Sequence, residues 1–306
     1  MKITDIMKER MSLSFEVFPP KADKPLEPLL DVLDRLYTVE PDFVSCTYGA
    51  GGTNAGRHME ICKSILDSGK TIPISHFTTI GKTREDIRAQ MDLCLSYGID
   101  HILALRGDIP EGWEGTRGDF KHASEMISFI RKYYGDKFVI AMAGAPEKHI
   151  EARTFAEDIA HLRMKQDSGA DILMTQLCYD VEGFKRWLDT IRKTGVHIPV
   201  DVGIMPVLDA SSTINMALSR NGCVMPRELC EIISRNWIFP NPFAPQESEE
   251  SIKAKKDSFR QQGIEYTMRL IDEYRSLGVN GIHLYALNKY EAVTELVQKS
   301  GIVDLI

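Results

Sequence analysis

The stretch "SFEVFPPK", residues 14–21, sets a carboxylate in apolar company: Glu16 has Phe15 and Val17 beside it, Phe18 next, and Pro19-Pro20 to end the extended segment. An ionised carboxylate loses its hydration on burial and needs a partner, so the position calls for a reason. One reading is a structural carboxylate paired with an arginine or backbone amides. The other is a general acid, because an apolar pocket disfavours the charged form and lifts the pKa toward neutrality, where a protonated carboxyl donates. Phe15, Phe18 and a place at the end of a strand favour the second reading. Glu16 is therefore expected among phenyl rings, protonated near neutral pH.

A second constellation is "LALRGD", residues 103–108, which closes an apolar run with a cation, a glycine and an anion. It reads equally as a surface ion pair at a turn or as a ligand site. In the latter, Gly107 admits a close backbone approach, Arg106 binds a phosphate and Asp108 accepts from the N–H groups of a heterocycle. "TYGAGGTNAGR", residues 47–57, is glycine-rich without a P-loop lysine and is a weak phosphate signal by itself. The six cysteines form no C-x-x-C and no Cys/His pairing, and "EKH" at 147–149 does not match a metal-binding helix motif. Buried reduced thiols and no metal site are expected.

Something must hold these groups together. Short β-branched or apolar runs at 13–18, 43–48, 72–78, 101–106, 138–143, 172–177, 200–205 and 281–286 alternate with amphipathic stretches. Within 84–98, Ile87, Met91 and Leu95 recur at helical spacing before Gly98; 151–169 also ends in glycine, and a long helix runs to about Leu277. Strands separated by helices imply parallel pairing through right-handed crossovers. Eight such units predict an α/β fold, a closed (β/α)₈ TIM barrel formed as one domain over residues 1–306. No G-x-G-x-x-G follows a strand, so the dinucleotide fingerprint of an open sheet is missing. In such a barrel the C-terminal strand ends build the site. Here they would bring together Glu16, Thr47-Tyr48, His76, Arg106-Gly107-Asp108, Glu147 and His149, Gln176 and Asp180, and Tyr285 with Asn288-Lys289. Convergence of so many polar groups on one rim favours an enzyme over a structural barrel.

Bulk properties narrow the class. The chain has 306 residues, 43% of them hydrophobic and 26% charged, and a net charge of −7 that argues against nucleic acid as a partner. No apolar run reaches membrane-spanning length and the N-terminus lacks the apolar centre of a signal peptide, so a cytoplasmic protein is expected. A homo-oligomer associating through outer helices, dimer or tetramer, is also expected.

The segments "SFEVFPPK", "VSCTYGAGG", "SHFT", "LALRGDIP", "APEKH", "TQLCYD", "GIMPV" and "HLYALNK" fall in the order, and close to the spacing, of the methylenetetrahydrofolate reductase family, which the chain resembles over nearly its whole length. The resemblance implies a (β/α)₈ barrel that binds FAD and reduces 5,10-methylenetetrahydrofolate to 5-methyltetrahydrofolate in alternating half-reactions. It implies Glu16 as the acid that opens the folate's five-membered ring, and Asp108 as the aspartate between flavin and pterin. Gln176 falls at a folate-binding glutamine. Thr47, His76, Leu105, Arg106, Gly107, Ala123, His149, Asp158 and Lys165 fall at flavin-contacting positions.

Departures from the family's pattern also stand out. Ala145 replaces a flavin-touching tyrosine, and Leu177-Cys178 replace phenylalanines. Met216 stands, counted without gaps, where a stacking aromatic lies; Lys289 replaces an arginine; His122 and His161 replace a tyrosine and an asparagine. Met216 and Lys289 are thus expected on the folate side, with NADH, NADPH or an electron-donating partner protein as reductant. A redox-inactive folate-binding or methyl-carrier subunit on the same barrel is the competing expectation.

Overall fold

The computed structural model describes residues 2–48, 57–219, 222–238 and 247–302. Eight parallel strands close on themselves in chain order: β1 (Ser12–Val17), β2 (Phe43–Cys46), β3 (Ile72–Thr78), β4 (His101–Leu105), β5 (Val139–Gly144), β6 (Ile172–Thr175), β7 (Val200–Ile204) and β8 (Gly281–Tyr285). The ring is completed by β8 pairing with β1, in the register Ser14 with His283 and Glu16 with Tyr285. The expected (β/α)₈ barrel is what forms, and each expected strand lies within one or two residues of its observed bounds.

Helices α1 (Ile3–Glu9), α2 (Glu27–Leu36), α3 (Arg57–Ser68), α4 (Arg84–Tyr97), α5 (Ala123–Tyr134), α6 (Phe155–Asp167), α7 (Val181–Lys193), α8 (Ala210–Ala217), α9 (Arg227–Arg235), α10 (Glu249–Ser276) and α11 (Tyr290–Ser300) complete the described elements. Their ends follow local chemistry. Thr83 and Asp86 form a reciprocal capping box on α4, which stops at Gly98 in the left-handed conformation. Thr154 caps α6 by accepting from the Glu157 N–H. None of the described helices is long and apolar enough to cross a membrane.

Two apolar layers follow from the strand period of two. Leu13, Phe15 and Val17 face outward and pack with Leu29, Leu33 and Leu36 of α2 and Val293, Leu296 and Val297 of α11. Inside the barrel, Phe43, Ile74, Leu103, Val139, Ala141, Ile172 and Met174 join Ile3 and Met7, so α1 closes the N-terminal end. The polar inward positions include Ser12, Ser14 and Glu16 on β1, Ser45 on β2, His76 on β3, His101 on β4, Asp201 on β7 and His283 and Tyr285 on β8. Cys46, Cys62, Cys94 and Cys178 are buried free thiols as expected, but Cys230 is exposed and Cys223 half-buried.

Candidate active site

Glu16 occupies the last inward position of β1, at the C-terminal mouth, with its side chain 24% exposed. The expectation of a phenyl pocket is overturned. Phe15 points into the helix layer on the opposite face, and Phe18 is 42% exposed beyond the strand. Strand alternation separates neighbours in sequence onto opposite faces, so Phe15 could never have surrounded Glu16. The groups that do surround it are imidazoles: Glu16 Oε2 lies 3.7 Å from His76 Nε2 and 3.8 Å from His283 Nε2. Burial by itself pushes the Glu16 carboxyl up, but the His283 hydrogen bond and the fields of His76 and His283 outweigh it and hold the group below its ordinary value. Glu16 in the open barrel is therefore an ionised carboxylate, contrary to the protonated acid expected.

Below Glu16 a column of polar groups descends the barrel. Ser14 Oγ lies 2.7 Å from His283 Nδ1 and 3.5 Å from Asp201 Oδ2, while Ser45 Oγ lies 3.4 Å from His283 Nε2. Asp201 is fully buried, and burial pushes its carboxyl up to about 6. His76 is 5% exposed, its Nε2 has no hydrogen-bond partner among the described residues, and burial holds it down to about 4. His283, Asp201, Ser14 and Ser45 were missed by sequence reasoning, although Ser12-x-Ser14-x-Glu16 and a lone aspartate in "VDVGI" carry the signal: polar residues at strand period in a barrel that should be apolar inside.

These two shifts make an opposed pair. Asp201 binds its proton more tightly folded than unfolded, so its contribution to stability is complete below about 3.8 and is lost as pH rises through about 6. His76 binds its proton more weakly folded, so its contribution is complete above 6.5 and is lost as pH falls through about 4. Each amounts to about 3 kcal/mol at 1.36 kcal/mol per unit, and between those limits they offset each other. The Asp201→Asn variant is expected to unmask His76. Chemical denaturation at pH 6.5 and pH 4 should show it losing about 3 kcal/mol more than the wild type over that range; an equal loss in both proteins would contradict the assignment.

Across the mouth, Tyr285 Oη donates to Thr175 O at 3.2 Å and lies 3.4 Å from Gln176 Oε1. The Leu177 N–H also donates to Gln176 Oε1, at 3.0 Å. With its oxygen held by the Leu177 N–H and within reach of the single Tyr285 hydroxyl proton that it shares with Thr175 O, the Gln176 amide presents its NH₂ to a ligand. Tyr285 can lie there because Gly203 stands opposite: a Cβ at that position would come within 2.6 Å of Tyr285 Oη and 2.4 Å of Thr175 O.

A third cluster spans the β4, β5 and α6 ends. Arg106 makes a two-pronged ion pair with Glu151, whose N–H donates to His149 Nδ1 at 3.2 Å. The His149 N–H in turn donates to Asp158 Oδ2 at 3.1 Å, and buried Asp158 faces Lys165, whose ammonium donates to Ala143 O. Burial lowers Lys165 to about 8, against the pull of Asp158. Burial likewise lowers His149, helped by Arg106 and Lys165. Arg106 thus pairs with Glu151 rather than with Asp108, its neighbour in sequence. Gly107 adopts φ +86°, and a Cβ there would sit 3.1 Å from Thr78 Cβ, so the backbone stays bare beside the cations.

The other sequence-selected residues are placed as follows. Thr47 follows β2, its N–H bonded to Val17 O. Leu105 ends β4 and packs with the inner apolar cluster, Ala123 begins α5, and Asp108 is exposed. Met216, on α8, is half-buried against the core, and Lys289 is exposed before α11. Leu177 and Cys178 are buried in the outer core. Glu147 and Asp180 serve the framework: Glu147 accepts from Val224 N–H at 2.7 Å, and Asp180 caps α7. Most of the glycine-rich loop (49–56) and part of the proline-rich loop (239–246) lie outside the described residues. No group of three or more potential metal-ligating side chains occurs among the described residues.

The family model described as methylenetetrahydrofolate reductase matches residues 2–301. Methylenetetrahydrofolate reductase 1 of Schizosaccharomyces pombe is 32% identical, over 99% of this chain and 49% of the yeast protein. The 5,10-methylenetetrahydrofolate reductase of Pectobacterium carotovorum is 30% identical, over 97% of this chain and 92% of its own length. The chain thus spans about half the length of its yeast and plant relatives and nearly all of the bacterial one. A Clostridium thermocellum protein described as binding two copies of 5-methyl-5,6,7,8-tetrahydrofolic acid superposes with a TM-score of 0.61 at 14% identity, covering 99% of both chains, and shares the fold. With the family model covering almost every residue and a bacterial relative matched nearly end to end, the chain belongs to the methylenetetrahydrofolate reductase family.

Proposed function

We propose that the protein is a flavin-dependent reductase that converts 5,10-methylenetetrahydrofolate to 5-methyltetrahydrofolate, with residues 1–306 acting as one catalytic barrel. The observation that carries this reading is a carboxylate at the barrel mouth, within 3.8 Å of two imidazoles and opposite an oriented amide, in a chain of this family. Glu16 hands a proton to the ring nitrogen that leaves as the folate's five-membered ring opens. Its low pKa belongs to the open barrel. A pterin laid over the mouth removes the water that reaches the 24% exposed side chain, and loss of that water favours the neutral carboxyl. Gln176 donates its NH₂ to the pterin, and Tyr285 keeps the amide from turning over. Met216 and Lys289 lie on the folate side in this reading, Lys289 as a point charge for an acidic tail.

The residues of the third cluster fit FAD. Arg106 and Lys165 offer cations for a diphosphate, and Gly107 leaves its backbone open to a flat ring. Thr47, His76, Leu105, Ala123, His149 and Asp158 complete the expected contacts, with Asp108 beside both ring systems. Bound flavin supplies hydride transfer, in alternating half-reactions with a reduced donor and with the folate. The donor is NADH, NADPH or a partner protein, and the barrel assembles as a homo-oligomer in the cytoplasm.

Purified protein is expected to be yellow. Anaerobic mixing with NADH, NADPH or a low-potential electron carrier is expected to bleach the visible flavin band with the true donor, and added methylenetetrahydrofolate to restore it. Colourless protein that takes up no FAD would overturn the reading in favour of a redox-inactive folate-binding subunit. Light scattering tests the assembly.

A further inference from the structure

The reaction proposed above asks Glu16 for a proton at the moment when bound ligand shuts it off from solvent, yet in the open barrel Glu16 is ionised. A proton must reach it from inside the protein. Three layers of inward side chains lie beneath the mouth. Asp201 is level with Gly281 and Ser12, His283 with Ser14, and Tyr285 with Glu16. Between Asp201 and Glu16 the structure holds a run of exchangeable groups: 3.5 Å from Asp201 Oδ2 to Ser14 Oγ, 2.7 Å from Ser14 Oγ to His283 Nδ1, and 3.8 Å from His283 Nε2 to Glu16 Oε2, the last an ion-pair distance that must shorten for a proton to cross. Asp201 has no solvent exposure, and its Oδ1 has no hydrogen-bond partner among the described residues. A buried carboxyl with one idle oxygen, whose ion-pair partner is an imidazole, His283 Nδ1 at 3.9 Å from Oδ2, and not a lysine or arginine, is hard to explain as a structural group. Leaving it ionised and half-satisfied costs more than an asparagine or an apolar residue would.

We propose that Asp201 is an internal proton store for Glu16, discharged through Ser14 and His283 when ligand covers the mouth. This inference rests on the reductase reading and deepens it by naming positioning residues for the acid. The step balances as one concerted shift. The Asp201 carboxyl gives its proton to Ser14 Oγ, the Ser14 hydroxyl proton passes to His283 Nδ1, and the Nε2 proton of His283 passes to Glu16. Asp201 ends ionised, Glu16 ends neutral, and Ser14 and His283 end with the protons they began with, His283 as the other tautomer. When product leaves, solvent reaches Glu16 and the same path reloads Asp201.

The groups facing this path are few. Around Asp201 they are His283 from β8, Ser14 from β1 and, at longer range, Asp42 before β2, whose charge helps keep the Asp201 proton on. Around Glu16 they are His76 from β3, His283 and Tyr285 from β8, and Cys46 from β2. His76 touches only the Glu16 end and gives up its proton above about 4, whereas Asp201 holds its own up to about 6, so between those values Asp201 and not His76 is the loaded donor. Phe43 stacks on the His283 ring, centroids 5.9 Å apart.

Two variants test the store. Asp201→Asn keeps the shape and removes the proton; Ser14→Ala keeps both carboxyls and cuts the path. In flavin-free protein, the carboxyl infrared bands of the wild type are expected to titrate as a coupled pair, and the Glu16 midpoint is expected to move in Asp201→Asn. A Glu16 band titrating identically in that variant and the wild type overturns the proposal, and this result stands whether or not the protein proves to be a reductase. In loaded enzyme, both variants are expected to slow the folate half-reaction about tenfold and flatten its pH profile while the donor half-reaction keeps its rate. Either variant retaining the wild-type folate profile also overturns it. Absence of any folate-driven flavin reoxidation in the wild type would instead strike the reductase reading.

Discussion

Replacing Glu16 by glutamine is expected to leave flavin binding and reduction by the donor intact and to slow the folate half-reaction by about 10² to 10⁴-fold, the range for loss of a positioned general acid. The change removes the charge of the open barrel and the site that takes up the proton, with little change of shape. Glutamine has nearly the same volume, and its carbonyl oxygen still accepts from His283, so the column of Ser14, His283 and Asp201 keeps its packing. Of the groups assigned to flavin, Arg106, His149, Asp158 and Lys165 are linked to one another across β4, β5 and α6 without a bond to β1, and His76 alone stands at ion-pair distance from Glu16. Donor and folate half-reactions should therefore part company in a single substitution. Stopped-flow reoxidation of the prereduced flavin by methylenetetrahydrofolate measures the effect, and a native rate in Glu16→Gln would remove the carboxyl from the chemistry.

Much of this architecture was legible in the sequence because it depends on signals that repeat. Eight apolar runs separated by amphipathic stretches sufficed for the barrel, since each βα unit restates the same period and a shift of a residue in one strand end leaves the topology unchanged. The rim residues could be enumerated for the same reason. What could not be read was which neighbours each one meets. Glu16 beside Phe15 in sequence looked like a carboxyl in a phenyl pocket, but strand alternation sends Phe15 to the helices and brings in His76 and His283 from strands far away along the chain. That exchange reverses the expected direction of the Glu16 shift. Arg106 shows the same effect: its partner is Glu151, 45 residues on, rather than Asp108 two positions away. Asp201 and His283 had a readable signal in their strand phase, yet each lies in an apolar run where a single polar residue is ordinarily dismissed as a satisfied core group.

The second large effect concerns a residue with no side chain. Gly203→Ala is expected to destabilise the protein by about 1–3 kcal/mol, the range for forcing a methyl into a filled interior. It is also expected to weaken folate binding about tenfold, the equivalent of 1.4 kcal/mol. The new Cβ would meet two oxygens at once, Thr175 O at 2.4 Å and Tyr285 Oη at 2.6 Å. The first is backbone of the neighbouring strand and yields only if β6 and β7 separate, where pairing is already limited to Leu173 with Val200 and Met174 with Asp201. The second belongs to a side chain that swings away more readily, but in doing so it drops its bond to Thr175 O and releases the Gln176 amide. Adding Tyr285→Phe separates the two contributions, because it deletes the hydroxyl and leaves the carbonyl clash. The double variant should recover less than half of the lost stability in urea unfolding and none of the lost folate affinity. Should Gly203→Ala alone match the wild type in both measurements, Tyr285 does not hold Gln176 in the way the mouth geometry implies, and the amide's orientation must be set by the Leu177 N–H instead.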